Sequence, residues 1–336
     1  KQISGTHGIG VLMANSLMFQ RFPDHNGYDD PQFSSFYGQT LPLLKRGIPV
    51  ELVHMENTPF KDTFNGLQVL VMSYSNMKPM KSEYHNYLAD WVKKGGTLVY
   101  CGEDVDPYQT VLEWWNTAGN AYKAPSEHLF EAMGLSRNPG DGTYRFGKGT
   151  VIVMREDPKH FVLKGGNDRK YFETIVSAYE SKTGKKIEIK NNFMVERGPY
   201  TIAAVMDESS SKEPLKLSGL YIDLFDKDLP VLTVKQINPG EQGYLYDLNK
   251  VLGKVKAKVL CGASRIYDEK VGKQSYSFVA KSPLHTTNVS RVLLPRKPGK
   301  VLVNGKAEQP EWDESSKTLL LSFENDPAGV NVSIEW

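Results

Sequence analysis

Three short segments carry the residue types from which chemistry is built. Residues 102–108 (GEDVDPY) bring Glu103, Asp104 and Asp106 close together, and such carboxylates suit a general acid and base or oxygen ligands for calcium. Residues 15–21 (NSLMFQR) and 73–76 (SYSN) add hydroxyls, amides and the Arg21 guanidinium. That mixture can hydrogen-bond a sugar or the loop of another domain, and it is equally the ordinary polarity of solvated loops. Cys101, at the end of an apolar run and followed by glycine, invites comparison with a nucleophile elbow. An elbow needs small residues around its nucleophile, whereas Val99 and Glu103 flank this one, and no downstream His-x-Glu pair stands ready to activate a thiolate. A buried structural cysteine is the expectation.

Other motifs read as structure. Residues 24–30 (DHNGYDD) resemble the opening of a calcium loop, but Ser35 stands where the bidentate glutamate belongs, so a solvated turn is expected. The seven histidines show no HExxH spacing and the two cysteines no CxxC; neither a transition metal nor a cofactor is expected. Gly5, Gly8 and Gly10 precede the first strand and cannot present a helix N-terminus to a phosphate. Lys182-Thr183-Gly184 matches a β-lactamase tripeptide without the accompanying serine motifs, and is a basic last turn with a glycine cap. Trp114 and Trp115, with Tyr108 and Tyr122 nearby, offer a platform for sugar faces, although adjacent tryptophans on a helix point apart and one belongs to the core. The candidate ligand or interface residues are Gln20, Arg21, Ser73, Tyr74, Asn76, Glu103, Asp104, Tyr108, Trp114 and Trp115. None is assigned a catalytic role.

The elements that must position these residues follow from apolar runs. Residues 9–13, 49–53, 67–72, 97–101 and 150–154 read as buried parallel strands separated by crossover-length segments. The clearest helix starts after Ser82 as N-cap, sets Tyr84, Leu88, Trp91 and Val92 on one face and stops at Gly95-Gly96. A second spans residues 36–46, where Pro42 predicts a kink or a late start, and a third spans residues 171–182. The alternation predicts a parallel sheet covered by helices, with ligands collecting beyond the strands' carboxyl ends. After residue 185 short β-rich runs punctuated by Gly, Pro, Asn and Asp predict an antiparallel sandwich, with Asn304-Gly305 as a hairpin turn and residues 208–213 (ESSSKE) as a loop. Two domains are expected, residues 1–184 and 185–336.

The chain has 336 residues, 40% hydrophobic, with 41 Lys+Arg against 39 Asp+Glu. A formal charge of +2 provides no global attraction to nucleic acid or anionic membrane. No apolar run approaches the roughly 20 residues of a membrane helix. Cys101 and Cys261 lie in different expected domains, so no disulfide is expected. The chain opens on Lys1 without an initiator Met, which leaves room for a removed presequence or an upstream domain.

Residues 16–56 (SLMFQRFPDHNGYDDPQFSSFYGQTLPLLKRGIPVELVHME), then LVMSYSNMKPM and WVKKGGTLVYCGED, resemble the class I glutamine amidotransferase-like domain of multidomain glycoside hydrolases, a flavodoxin-like fold similar to the trimerisation domain of family 42 β-galactosidases. From Arg197, RGPYTIAAVMDES, LSGLYIDLFDKDLPVL, PGEQGYLYDL and PAGVNVSIEW resemble the C-terminal β-sandwich that follows such domains. The resemblance implies that the catalytic carboxylates belong to an upstream TIM barrel, which needs about 250 residues and is not present here. It therefore implies a noncatalytic accessory region. Its partners would be that barrel or a neighbouring subunit, with carbohydrate nearby, a homo-oligomer allowed and a periplasmic or extracellular location. The alternatives left open are an independent glycoside hydrolase using Glu103 and Asp104, and a sugar-binding protein using the tryptophans or the sandwich.

Overall fold

Successive side chains of a β-strand point to opposite faces of its sheet, so a run apolar at every position must be covered on both sides. The computed structural model, which describes residues 7–18, 33–163 and 167–336, meets that requirement. Backbone contacts divide the chain into two units, Lys1–Asn191 with Ser209–Ser211, and Asn192–Glu208 with Lys212–Trp336.

The first unit is an open, mostly parallel sheet. Its strands are β1 (Ile9–Met13), β2 (Glu51–His54), β3 (Val69–Met72), β4 (Thr97–Cys101), β5 (Gly142–Phe146) and β6 (Gly149–Met154), in the order β2-β1-β3-β4-β6-β5. All neighbours are parallel except β5, an antiparallel edge strand. Among the described residues the unit's α-helices are α1 (Ser34–Leu44), α2 (Glu83–Lys93), α3 (Pro125–Ala132) and α4 (Arg169–Thr183). One core joins Leu12, Leu70, Met72, Leu98, Tyr100, Val151 and Val153 to Leu88 and Val92 of α2 and Leu129 and Phe130 of α3. The other joins Val11, Val69, Val71, Val99, Cys101 and Met154 to Leu43 of α1 and Phe172, Ile175 and Tyr179 of α4.

Local expectations meet three differences. Ser82 is itself helical and makes no side-chain cap, so α2 begins at Glu83. Helix α1 starts earlier than residue 36 and runs through Pro42 to Leu44, because a proline in the last turn leaves little helix beyond it to disturb. Strand β5 and helix α3 were not among the expected elements; β5 is covered on one face by the described residues, and α3 buries Leu129 and Phe130. Gly184, with φ 69°, caps α4 as a glycine should. The calcium-like segment 24–30 lies outside the described residues.

The second unit holds three antiparallel sheets where a sandwich has two. The first is ordered β10-β9-β11-β8-β7, with β7 (Asn192–Arg197), β8 (Tyr200–Val205), β9 (Leu215–Asp223), β10 (Val231–Ile237) and β11 (Gln242–Asp247). The second combines β12 (Lys258–Gly262), β15 (Thr287–Leu293), β19 (Thr318–Glu324) and β18 (Glu311–Asp313); the third combines β13 (Arg265–Val271), β14 (Ser275–Lys281), β20 (Val330–Glu335), β16 (Lys300–Val303) and β17 (Lys306–Glu308). The second and third enclose a core of Tyr276, Phe278, Val292, Leu319, Leu321 and Ile334. A separate core sets Ile222 and Tyr246 of the first sheet against Leu260 and Leu293 of the second, with Leu320 packed against it. Leu319, Leu320 and Leu321 thus serve two cores from one strand. Asn304 and Gly305, with φ 47° and 78°, form the turn between β16 and β17, as both must have positive φ in a type I′ turn.

Gly38 fixes how closely α1 approaches the loop after β6. A Cβ there would lie 1.9 Å from the Pro158 carbonyl oxygen, and backbone cannot move aside as a side-chain tip can. Gly38→Ala is expected to cost roughly 1–3 kcal/mol by overpacking. Gly140→Ala, with nothing within 4 Å of its added Cβ, should change the urea midpoint little.

Candidate functional site

The strand order reverses between β1 and β3, and in open α/β sheets the crevice beyond such a switch point is where ligands bind. Here that crevice is occupied by the chain's own atoms. The Ala14 amide donates to Met77 Sδ at 2.9 Å, and Ser16 Oγ donates to the Lys78 carbonyl at 2.6 Å while accepting the Lys78 amide at 2.8 Å. The loops after β1 and β3 are tied by these bonds.

Lys78 extends the tie to the loop after β4. Its ammonium, 2% exposed, donates to both carboxylate oxygens of Asp106 at 3.0 and 2.8 Å and to the Tyr74 carbonyl. Asp106 also accepts the Tyr108 amide at 3.0 Å and Gln109 Nε2 at 2.8 Å, capping the 3-10 turn Pro107–Thr110. Burial pulls the Lys78 ammonium below its ordinary pKa, and the Asp106 charge opposes that pull. The buried pair has most of the hydrogen bonds it needs.

The other acids are engaged separately. Asp157, buried, accepts Ser75 Oγ at 2.5 Å and the Glu103 amide at 3.0 Å, while Ser73 Oγ accepts the Ser75 amide at 3.1 Å. Asp104 accepts the Tyr100 hydroxyl, Ser126 Oγ at 2.7 Å and Arg155 Nη1 at 2.7 Å. Burial raises its carboxyl above the ordinary range, against the pull of those three partners. Glu103 alone of the loop's three carboxylates is exposed. The three do not converge on a shared space.

A third arrangement lies beneath the tryptophans. The Tyr74 hydroxyl sits 2.5 Å from His85 Nε2, and His85 Nδ1 sits 2.8 Å from His128 Nδ1. Two imidazole nitrogens at that distance share one proton, so neutral rings satisfy the bond and a doubly protonated pair would repel. Burial holds His85 well below its ordinary pKa, reinforced by His128, and burial lowers the half-buried His128 as well. Trp114 packs edge-on against both imidazoles, its ring centroid 5.6 Å from His85 and 5.3 Å from His128.

Of the residues singled out in the sequence, Gln20 and Arg21 lie outside the described residues. Ser73, Tyr74, Asn76, Tyr108 and Trp115 are buried, bonding or packing inside the unit. The indoles of Trp114 and Trp115 donate to the carbonyls of Pro79 at 2.8 Å and Gln109 at 2.9 Å, so the loops fold back onto the rings and satisfy their own carbonyls. Trp115, 1% exposed, is core. The side-chain oxygens of Asn76 and Gln109 are buried without a hydrogen-bond partner among the described residues.

Cys101 is the last residue of β4, fully buried, and belongs to the core shared with α4. Burial lifts its thiol far above the ordinary range. Tyr100, one position earlier, points to the opposite core, where Tyr74, the neighbour of His85, also packs. Sequence reasoning missed Lys78, His85, His128, Arg155, Ser126 and Asp157. His85 was detectable, since Leu88 and Val92 lie three and seven positions further along the same helix; Asp157 was not, because its partners Ser75 and Glu103 lie 82 and 54 positions away. Among the described residues no three His, Cys, Asp or Glu side chains converge as ligands for a metal, and no helix is long and apolar enough to cross a membrane.

No family model and no curated protein matches the chain. Solved structures similar to it include a GH42 β-galactosidase and other glycoside hydrolases. The β-galactosidase of Bacillus circulans sp. alkalophilus overlaps 71% of this chain and 41% of its own, at 10% identity and a TM-score of 0.43. The β-galactosidase of the psychrophilic Marinomonas ef1 overlaps 72% and 38%, at 11% identity and 0.40. The GH42 exo-carrageenase of Bacteroides ovatus overlaps 98% and 29%, at 8% identity and 0.29. The chain spans about two fifths of the length of the two β-galactosidases.

Two outcomes follow from the buried groups. Asp106→Ala leaves the Lys78 ammonium buried and alone, a loss of about 3–5 kcal/mol; joint Lys78→Met and Asp106→Leu should cost less than Asp106→Ala alone in urea unfolding. His85, with a folded pKa below its unfolded value near about 6.5, contributes stability that is present above that value. As pH falls the unfolded state takes up a proton that the folded state refuses, so stability should drop by up to about 1.4 kcal/mol per pH unit. His85→Gln should flatten that slope in thermal melts from pH 7 to 5.

Proposed function

We propose that this chain is a noncatalytic accessory region of a glycoside hydrolase. In this role its flavodoxin-like, amidotransferase-like layer contacts a barrel domain or a neighbouring subunit and helps position carbohydrate. The observation that carries the proposal is the placement of Cys101. It is fully buried in the core on the α4 side of the sheet, no imidazole hydrogen-bonds it among the described residues, and its thiol is held protonated by burial. An acyl-transfer nucleophile requires the opposite of each. The resemblance of residues 16–56 and of the segments from Arg197 onward to the C-terminal half of multidomain glycoside hydrolases supplies the family context and, with it, export from the cytoplasm.

The competing reading, an independent glycoside hydrolase, would use Glu103 and Asp104. A raised carboxyl beside an exposed one is the electrostatic contrast that acid and base roles need. Asp104 nevertheless spends its oxygens on Tyr100, Ser126 and Arg155, which favours a positioning role within the scaffold. The exposed Glu103 suits an interface.

Two measurements test the proposal. Native protein treated with iodoacetamide at pH 8 should leave Cys101 unmodified until the fold is opened by urea; prompt alkylation would reveal an accessible thiolate. The purified 336-residue chain should turn over no aryl glycoside above background. Turnover that disappears in Glu103→Gln or Asp104→Asn would replace the accessory role with a catalytic one.

A further inference from the structure

The sheet of the first unit is covered unevenly. On β5 and β6, Tyr144, Phe146, Val151 and Val153 turn to the core shared with α2 and α3. Their alternating neighbours Thr143, Arg145, Thr150 and Ile152 turn to the other face, where Thr143 pairs across the strands with Ile152 and Arg145 with Thr150. Helix α4 packs on β3 and β4, and between it and the β5–β6 face lies an open groove of about 750 Å³. That volume falls in the range of small-ligand sites. The helix wall presents Lys170, Thr174, Ser177, Ser181 and Lys182, a single helical stripe. From Lys170 to Lys182 is 12 residues at 1.5 Å each, about 18 Å, long enough for a short linear chain and too long for a lone ion.

The charges in this groove do not cancel. Its two acids are already matched, Asp141 by Lys170 at 3.0 Å and Glu173 by Arg169 at 2.8 Å. The cations Arg145, Lys148 and Lys182 line the same groove, and none has an acidic partner within 4 Å among the described residues. Ile152, Val153, Met154 and Ala178 are the only aliphatic residues of the lining, and no aromatic ring belongs to it. An apolar helix would find little to bury there, and a neutral sugar or a nucleobase no face to stack on. Hydroxyls that donate and accept, beside unpaired cations, complement a chain carrying hydroxyls and oxyanions.

We propose that the groove between β5–β6 and α4 binds an oligosaccharide bearing sulfate or carboxylate groups, with Arg145, Lys148 and Lys182 taking its anions. The proposal rests on the carbohydrate-linked role inferred above and names the ligand class. Calorimetry on the full chain would compare a sulfated oligosaccharide, an oligogalacturonate, a neutral oligosaccharide of equal length and inorganic sulfate. Binding is expected for one or both acidic chains, weakening as salt rises from 50 to 300 mM. It should fall at least tenfold in Arg145→Glu/Lys182→Glu and also in Lys148→Glu, with thermal midpoints unchanged because these side chains are exposed. No binding of either acidic chain, equal binding of the neutral one, sulfate binding as tightly as the oligosaccharide, or undiminished binding by the variants would each overturn it. Failure here with the chain still inert towards aryl glycosides removes the groove alone; turnover by the chain removes the accessory role and leaves the groove standing.

Discussion

The first unit depends on one buried ion pair, Lys78 with Asp106. Taking both charges out of water costs several kcal/mol per ion, and their attraction repays it only with good geometry and further hydrogen bonds. The site provides both. Two Lys78–Asp106 contacts are joined by the Tyr74 carbonyl on one side and by Tyr108 and Gln109 on the other. Since Ser16 holds the backbone of Lys78 from the loop after β1, three strand-end loops share one anchor. Apolar residues would bind such loops as strongly but with less positional demand, because dispersion is not directional and charge-assisted hydrogen bonds are.

The anchor also decides what the crevice cannot do. A switch-point crevice is useful when polar groups point into open space; here they point at one another. Asp104, Asp106 and Asp157 each have their own set of donors, and the two tryptophans donate to loop carbonyls. The sheet then separates what remains. Because neighbours on β4 alternate between faces, Cys101 and the Tyr74–His85–His128 chain occupy opposite sides, and a thiol and an imidazole that cannot meet cannot form a catalytic pair. Polar capacity survives on the less covered face of β5 and β6, beside α4, which packs on β3 and β4 instead.

Much of this was legible residue by residue. The five parallel strands, the glycine cap at Gly184, the Asn304-Gly305 turn and the change to antiparallel sheets follow from local apolar runs and backbone preferences. Residues such as Thr143 and Arg145 on β5 gave no apolar period because no core of the described residues covers their face, so the edge strand was not among the expected elements. The third sheet of the second unit was hidden for the opposite reason: Leu319, Leu320 and Leu321 face two cores, and an unbroken apolar run does not say how many layers enclose it.

The amino-acid order by itself determined the coarse architecture, a helix-covered, mostly parallel sheet followed by antiparallel sheets, since that rests on short-range rules: strand and helix periods and turn residues. Tertiary structure alone decided which polar groups are spent and which are free. Lys78 and Asp106 are separated by 28 positions and Arg155 and Asp104 by 51, and whether a charge is matched depends on which distant donor the packed sheet brings within about 3 Å.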